Sequence, residues 1–316
     1  MKRIKGLILL FFLLAFVSTD AQEYEEYAVA IQYPIYSQYL IEGLFINPAY
    51  AGTREALSMS FSGRKRMLGF DGEYTLGSFA IHAPLKKDRI ALGFSVNQLS
   101  YGVTKQTSLY SYYAFHIKTL KGRWSLGLKA GTDLVSHDYS EIITHDPDVV
   151  FETGQESHVM PNVGAGVYYS NDRLFAGVAV PALLTYKVDT TTMDYRFEPD
   201  YKYYDILASA GALLTISEML KLKPSVMLKY SMTNSLRADM NLNFIIADVL
   251  WLGGSWRTGE NAVVGIIDVQ ITPQLKLGYS YDYSLGMLSD FIGGTHEVAL
   301  RFDLNRRVDA STPRYF

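Results

Sequence analysis

The chain has 316 residues and no cysteine, and only 19% of it is charged, yet it carries 24 tyrosines and 16 phenylalanines. A formal net charge of −3 with no basic block speaks against a nucleic-acid partner. Without cysteine there is no disulfide and no thiol nucleophile, so an exported form must hold together by hydrogen bonding and packing alone.

The first 21 residues read as a cleaved secretion signal. Lys2, Arg3 and Lys5 precede the apolar run LILLFFLLAFV, and small residues follow as far as Ala21. A spanning helix needs roughly 20 apolar residues, so this run is too short to remain as an anchor. Gln22 stands where a lipoprotein would need cysteine, which leaves the mature chain without a lipid tether. Residues 22–55 are expected to form a separate N-terminal segment, in which QYLIEGLFINPAYAG is compact, apolar and broken by Pro48.

From Ala56 to Leu304 the sequence alternates with period two. In QLKLGYSYDYSL, Leu275, Leu277, Tyr279, Tyr281, Tyr283 and Leu285 share one face, while Lys276, Ser280, Asp282 and Ser284 share the other. THEVALRFDL, LRADMNLNFI and RWSLGLKAGTDL repeat the arrangement. About fourteen such segments begin near residues 56, 73, 88, 106, 122, 160, 172, 203, 219, 236, 248, 260, 274 and 294. Their length suits tilted membrane-crossing strands. The apolar faces are nearly free of charge, and Tyr, Trp and Phe gather near strand ends, as at a membrane interface.

The connections alternate as well. LKKD, LKG, SND, SEM, AD and TPQ are short, whereas GRKRMLGFDG, Ser136–Val159, Leu184–Lys202 and Gly286–Gly293 are longer. Short turns in the periplasm and long loops outside are the layout of an outer-membrane barrel. The fold class expected is therefore all-β: a transmembrane antiparallel β-barrel of about fourteen strands over residues 56–304. A soluble β-sandwich also alternates, but here the apolar faces stay nearly uncharged along their whole length and carry aromatic residues close to the strand ends, as an interfacial girdle would. An even strand number puts both chain ends in the periplasm, so 22–55 is expected there, as is a tail over 305–316.

The polar faces mix signs, with Lys129, Lys223, Lys229, Arg237 and Arg257 against Asp133, Asp205, Asp239, Asp268, Asp282 and Glu297. Mixed charge points to a lumen filled by internal pairing rather than to an ion-selective lining. No catalytic motif stands out: GGSWR (Gly253–Arg257) fails the nucleophile-elbow pattern at its last position, and GAGVYY (Gly164–Tyr169) lacks the third glycine of a dinucleotide loop. No cofactor or metal is expected. The acidic stretch with His137, Asp138, Glu141, His145, Asp146, Asp148, Glu152, Glu156 and His158 fits no EF-hand or compact zinc spacing, and reads as a solvated external loop. His82 and His116 read as barrel-wall or turn residues. The apolar run LFINPAYA, in front of the first strand, must pack into the barrel mouth or onto another protein. Asn47, Pro48, Ala49, Tyr50, Ala51 and Gly52 are accordingly candidate partner-binding residues.

QYLIEGLFINPAYAG, GFDG (Gly69–Gly72), HAPL (His82–Leu85), GTHEVALRF (Gly294–Phe302) and the closing TPRYF together resemble the PorP/SprF family of the type IX secretion and gliding system. The likeness spans nearly the whole mature chain. It departs at Met67 and Leu68, where the family usually carries a tryptophan before the GF pair, and at Glu73 and Tyr74, where a proline is common. The resemblance implies a non-enzymatic barrel in outer-membrane lipid. It also implies partners: a large secreted adhesin bound through its C-terminal domain, and periplasmic ring or peptidoglycan-linked components. On that reading Asn47–Gly52, with Pro313, Arg314, Tyr315 and Phe316 of the tail, could meet the machinery. The alternative is a passive porin or small-molecule transporter, distinguished by an open lumen.

Overall fold

The computed structural model describes residues 34, 36–66, 74–85, 88–139, 155–188, 195–197, 199–232, 236–286 and 293–304. Its strands are β1 (Leu57–Arg66), β2 (Tyr74–Leu85), β3 (Ile90–Tyr101), β4 (Thr104–Thr119), β5 (Gly122–Asp138), β6 (Gln155–Ser170) and β7 (Leu174–Val180). A small hairpin of β8 (Tyr186–Val188) and β9 (Tyr195–Phe197) follows, then β10 (Ile206–Ala212) with its short continuation β11 (Leu214–Thr215). The chain closes with β12 (Leu220–Tyr230), β13 (Arg237–Ile246), β14 (Leu250–Arg257), β15 (Ala262–Gln270), β16 (Leu275–Ser284) and β17 (Thr295–Leu304).

From β1 to β7 and from β12 to β17 each strand pairs antiparallel with the next along the chain, β7 pairs with β10 across the hairpin, and β1 pairs with β17 from Leu57↔Leu304 to Lys65↔His296. β10 and β11 both pair with β12 and count as one strand, so fourteen strands close the ring. Closure leaves no edge of the ring unpaired, which is what lets a sheet cross lipid. Among the described residues no helix is long and apolar enough to do so.

The alternation has the sense of a membrane barrel. Phe61, Leu92, Phe94, Phe115, Leu126, Leu128, Val178, Phe244, Ile267 and Val298 are exposed on the outer face. Their strand neighbours Ser60, Ser95, His116, Ser125, Asn243, Asp268 and Glu297 are buried inside. Polar groups in and apolar groups out is the reverse of a soluble core, and it fits a wall with lipid around it.

The strands start within a few residues of the positions that the alternation predicts. The largest departure is at β6, expected near residue 160 and beginning at Gln155. The stretch read as an external loop over Ser136–Val159 is correspondingly shorter. Ser136↔Ser157, His137↔Glu156 and Asp138↔Gln155 are ladder pairs. Alternation persists weakly there in polar residues, which a search for apolar period-two runs passes over. His137 is held by Thr104 Oγ1 at 2.9 Å. Glu141, His145, Asp146, Asp148 and Glu152 lie outside the described residues, as do the segment 1–21 and the tail with Pro313, Arg314, Tyr315 and Phe316.

Residues 36–55 are inside the barrel. They descend from the strand ends next to the long loops to those next to the short turns, and the chain then enters β1.

Candidate functional site

The seat of this inner segment is a floor of glycines on three adjacent strands. Gly127 of β5 pairs with Gly166 of β6, and Gly177 sits on β7 beside them. A Cβ added to Gly127 would lie 2.1 Å from the Ala49 nitrogen. One on Gly166 would lie 2.2 Å from Asn47 Oδ1, and one on Gly177 would lie 2.8 Å from Asn47 Nδ2. The floor is flat because the wall has no side chains at these points.

The hexapeptide Asn47–Gly52 fits that floor residue by residue. Asn47 caps a 3-10 turn over Pro48–Tyr50: its Oδ1 accepts from the Ala49 N–H at 2.9 Å, and its Nδ2 donates to the Val167 and Val178 carbonyls at 3.0 and 3.4 Å. Pro48 stands at the first turn position, where no amide hydrogen is needed. Ala49 and Ala51 are fully buried. Tyr50 lies edge-on to His82 and Tyr168, both at 5.7 Å, and covers Gly43, where a Cβ would approach its ring to 2.5 Å. Gly52 has φ +72°, and a Cβ there would lie 2.3 Å from that of Ala91.

Two wall histidines hold the end of the hexapeptide. The Gly52 N–H donates to His82 Nδ1 at 3.0 Å. That acceptor role places the ring proton on Nε2, which faces Glu42 Oε1 at 3.5 Å, an ion-pair distance rather than a short hydrogen bond. His116 shares a proton with Ser125 Oγ at 2.8 Å and turns Nε2 toward Gly52. Both histidines are barrel-wall residues, as the sequence suggests, and both point inward.

Upstream, Glu42 caps the preceding 3-10 turn, Gly43–Phe45, by accepting from Leu44 N–H, and it also accepts from Ser60 Oγ, both at 2.9 Å. The Tyr36 and Tyr39 hydroxyls bond to Ser78 and Asn241 at 3.0 and 2.7 Å.

Nearest the long loops, Ser37 sits in a charge network. Its N–H donates to Glu297 at 2.8 Å, its hydroxyl donates to Asp282 at 2.9 Å, and that hydroxyl accepts from Arg64 at 2.6 Å and Arg257 at 3.0 Å. Arg64 bridges Glu297 and Asp282 at 2.8 and 2.7 Å, and Arg257 joins Asp282 to Asp239. At the opposite end Arg54 pairs with Asp303 at 2.9 Å, Arg123 donates to the Thr53 carbonyl at 2.6 Å, and Arg301 donates to that of Ile41 at 2.9 Å. The mixed-sign lining thus pairs largely with itself and with the segment it encloses. Two cavities beside the segment have volumes of only about 30 and 20 Å³, room for a water molecule or two.

The structure therefore gathers Asn47, Pro48, Ala49, Tyr50, Ala51 and Gly52 into one buried unit. The partners of the inner segment come from other motifs: His82 from HAPL holds Gly52, while Glu297 and Arg301 from GTHEVALRF hold Ser37, Gln38 and Ile41. Sequence reading did not connect these or the three glycines. The visible signal was glycine at inward strand positions, as in GAGVYY, where Gly166 serves to admit Asn47. Among the described residues no carboxylate hydrogen-bonds to the Ser125–His116 pair, which is buried. Among the described residues no group of three or more metal-ligating side chains comes together.

The model of one family, the type IX secretion system membrane protein PorP/SprF, matches residues 28–302. The chain belongs to the PorP/SprF family. It is an outer-membrane β-barrel of the type IX secretion apparatus, in a lipid environment and with partners in that system. No curated protein matches it. Solved structures similar to it include the Acinetobacter baumannii outer membrane protein Omp33, at 8% identity and TM-score 0.48 over 79% of this chain and 99% of that one. A Pseudomonas aeruginosa FadL homologue is similar at 12% identity and TM-score 0.43 over 84% and 94%. A TodX monoaromatic hydrocarbon channel mutant is similar at 9% and 0.46 over 84% and 92%.

Proposed function

We propose that this PorP/SprF barrel is a closed, non-catalytic docking platform rather than a channel. A secreted adhesin binds its outer loops through a C-terminal domain, and ring or peptidoglycan-linked components bind its periplasmic side. The observation that carries this reading is the occupied lumen. Residues 36–55 are bonded to the wall at both ends and in the middle, and the two cavities beside them have volumes of only about 30 and 20 Å³. A barrel that does not pass solutes does its work at its two faces. In this reading Asn47–Gly52 support partner binding by fixing the barrel's shape, and Pro313–Phe316 are the direct periplasmic contact. The cleaved signal over 1–21 and the tail over 305–316 belong to the same proposal.

The test is purification in mild detergent from the native outer membrane, with mass spectrometry of what accompanies the barrel and conductance in planar bilayers. A co-purifying secreted protein or ring component, with little conductance, is the expected result. A barrel that comes out alone and conducts ions would make it a porin. Deleting Arg306–Phe316 is expected to release the periplasmic components while the barrel stays heat-modifiable on gels. Unchanged association would remove the tail from the account.

A further inference from the structure

The outer faces of the ring carry almost no charged or imidazole side chains. Among the described residues the exceptions are Lys65, Lys105, Asp138 and His296, and all stand at strand ends on the long-loop side. The ladder sets His296 opposite Lys65, Lys65 opposite Thr75, Thr75 opposite Ser100 and Ser100 opposite Lys105. Their strand neighbours Arg64, Leu76, Leu99, Gln106 and Glu297 are buried in the lumen, so this row points away from it. With strands about 4.8 Å apart, roughly 14 Å of wall separates the two lysines. The Tyr279 hydroxyl meets His296 Nδ1 at 2.7 Å and the Tyr281 ring lies 4.9 Å from the imidazole, which orients it and leaves Nε2 as its second polar atom.

One row further into the membrane the wall is bare. Gly63 and Gly77 pair with each other, and a Cβ added to either would meet nothing within 4 Å. Val298 and Tyr279 border this shelf on one side, Gln98 and Thr107 on the other. The row below is apolar throughout, and its Phe61 and Phe79 rings lie 4.8 Å apart, between Leu300 and Val96. From rim to membrane the surface passes from lysines, through amide and hydroxyl groups around an open shelf, to hydrocarbon. Acyl chains alone call for the last of these only.

We propose that the outer faces of β17, β1, β2, β3 and β4 seat a phosphorylated glycolipid of the outer leaflet. Lys65, with His296 beside it, takes one phosphate group, and Lys105 takes a second at the other end of the sugar headgroup. The sugar rings lie over Gly63 and Gly77, within reach of Gln98 and Thr107, and the acyl chains follow the apolar row. A phospholipid brings chains and one phosphate, but one phosphate does not span the wall from Lys65 to Lys105. Asp138, past Lys105 on β5, ends the cationic stretch. The proposal rests on the barrel and its orientation, and it holds whether or not an adhesin binds.

The test uses the full-length barrel, purified in mild detergent and freed of lipid. It is titrated with bisphosphorylated lipid A, with the dephosphorylated form, or with phosphatidylglycerol, and bound lipid is counted by native mass spectrometry. Heat-modifiability on gels certifies each variant as folded. The expected result is a one-to-one adduct with bisphosphorylated lipid A that the dephosphorylated form does not give and that phosphatidylglycerol gives far more weakly. Lys65→Gln and Lys105→Gln each lower its affinity roughly fivefold. Lys118→Gln, exposed at the short-turn end, leaves it unchanged. Gly63→Leu, which the open space at that position lets the barrel accept, also weakens the adduct. Equal binding of the dephosphorylated form or of phosphatidylglycerol overturns the proposal, as does an affinity that the lysine and glycine substitutions do not move.

Discussion

Asn47 does three things with one short side chain: it caps a turn and touches the carbonyls of two wall strands. Asn47→Ala removes all three bonds and leaves the buried Ala49 amide without its acceptor, a loss of about 1–3 kcal/mol. The expected outcome is a lower midpoint in thermal unfolding followed by heat-modifiability, whereas substitution of exposed Leu120 leaves it unchanged. At this scale the sequence was only partly legible. The apolar character of LFINPAYA announced a need for burial, and Asn-Pro announced a turn. His82 and His116 gave no sign of their partner, because a side chain's target across 30 or more residues is set by strand register and not by local pattern.

At the scale of elements, the strands were the readable part. One face of each meets lipid and the other a polar interior, and this writes a period of two that needs no tertiary knowledge. β5 and β6 extend further than the apolar pattern because their outer ends are polar on both sides. The hairpin of β8 and β9 falls in the stretch that the alternation leaves as loop, since three-residue strands carry too little pattern to register. The glycine floor is an element-level device whose meaning needs the register: Gly127 and Gly166 are neighbours only once β5 and β6 are aligned. Gly127→Val suits a strand by propensity, yet it places atoms where the Ala49 backbone lies. The expected result is a barrel that still folds but whose inner segment is displaced, read as new conductance in planar bilayers. Conductance unchanged from the native chain would mean that the floor yields and the seat does not depend on it.

For the whole molecule, the charge network near Ser37 ties four strands to the segment they enclose. Arg64 is buried with two carboxylates against it. Arg64→Met leaves Asp282 and Glu297 with one cation fewer, and breaking a buried pair in this way costs about 3–5 kcal/mol. Thermal unfolding should register it as one of the larger single-site losses in the chain. Restoring a cation with Arg64→Lys should recover only part of the loss, because an ammonium cannot span both carboxylates as the guanidinium fork does.

The bond between the Ser37 amide and Glu297 joins residues 260 positions apart. The segment that fills the barrel is near the start of the chain, while Glu297, Arg301 and Asp303, which hold it, belong to the final strand, β17. The same strand completes the ring against β1. Occupation of the lumen and closure of the wall are thus one event in assembly. A chain halted before its last strand has neither an intact sheet nor the side chains that retain its core, so an unfinished copy cannot pass as a finished one.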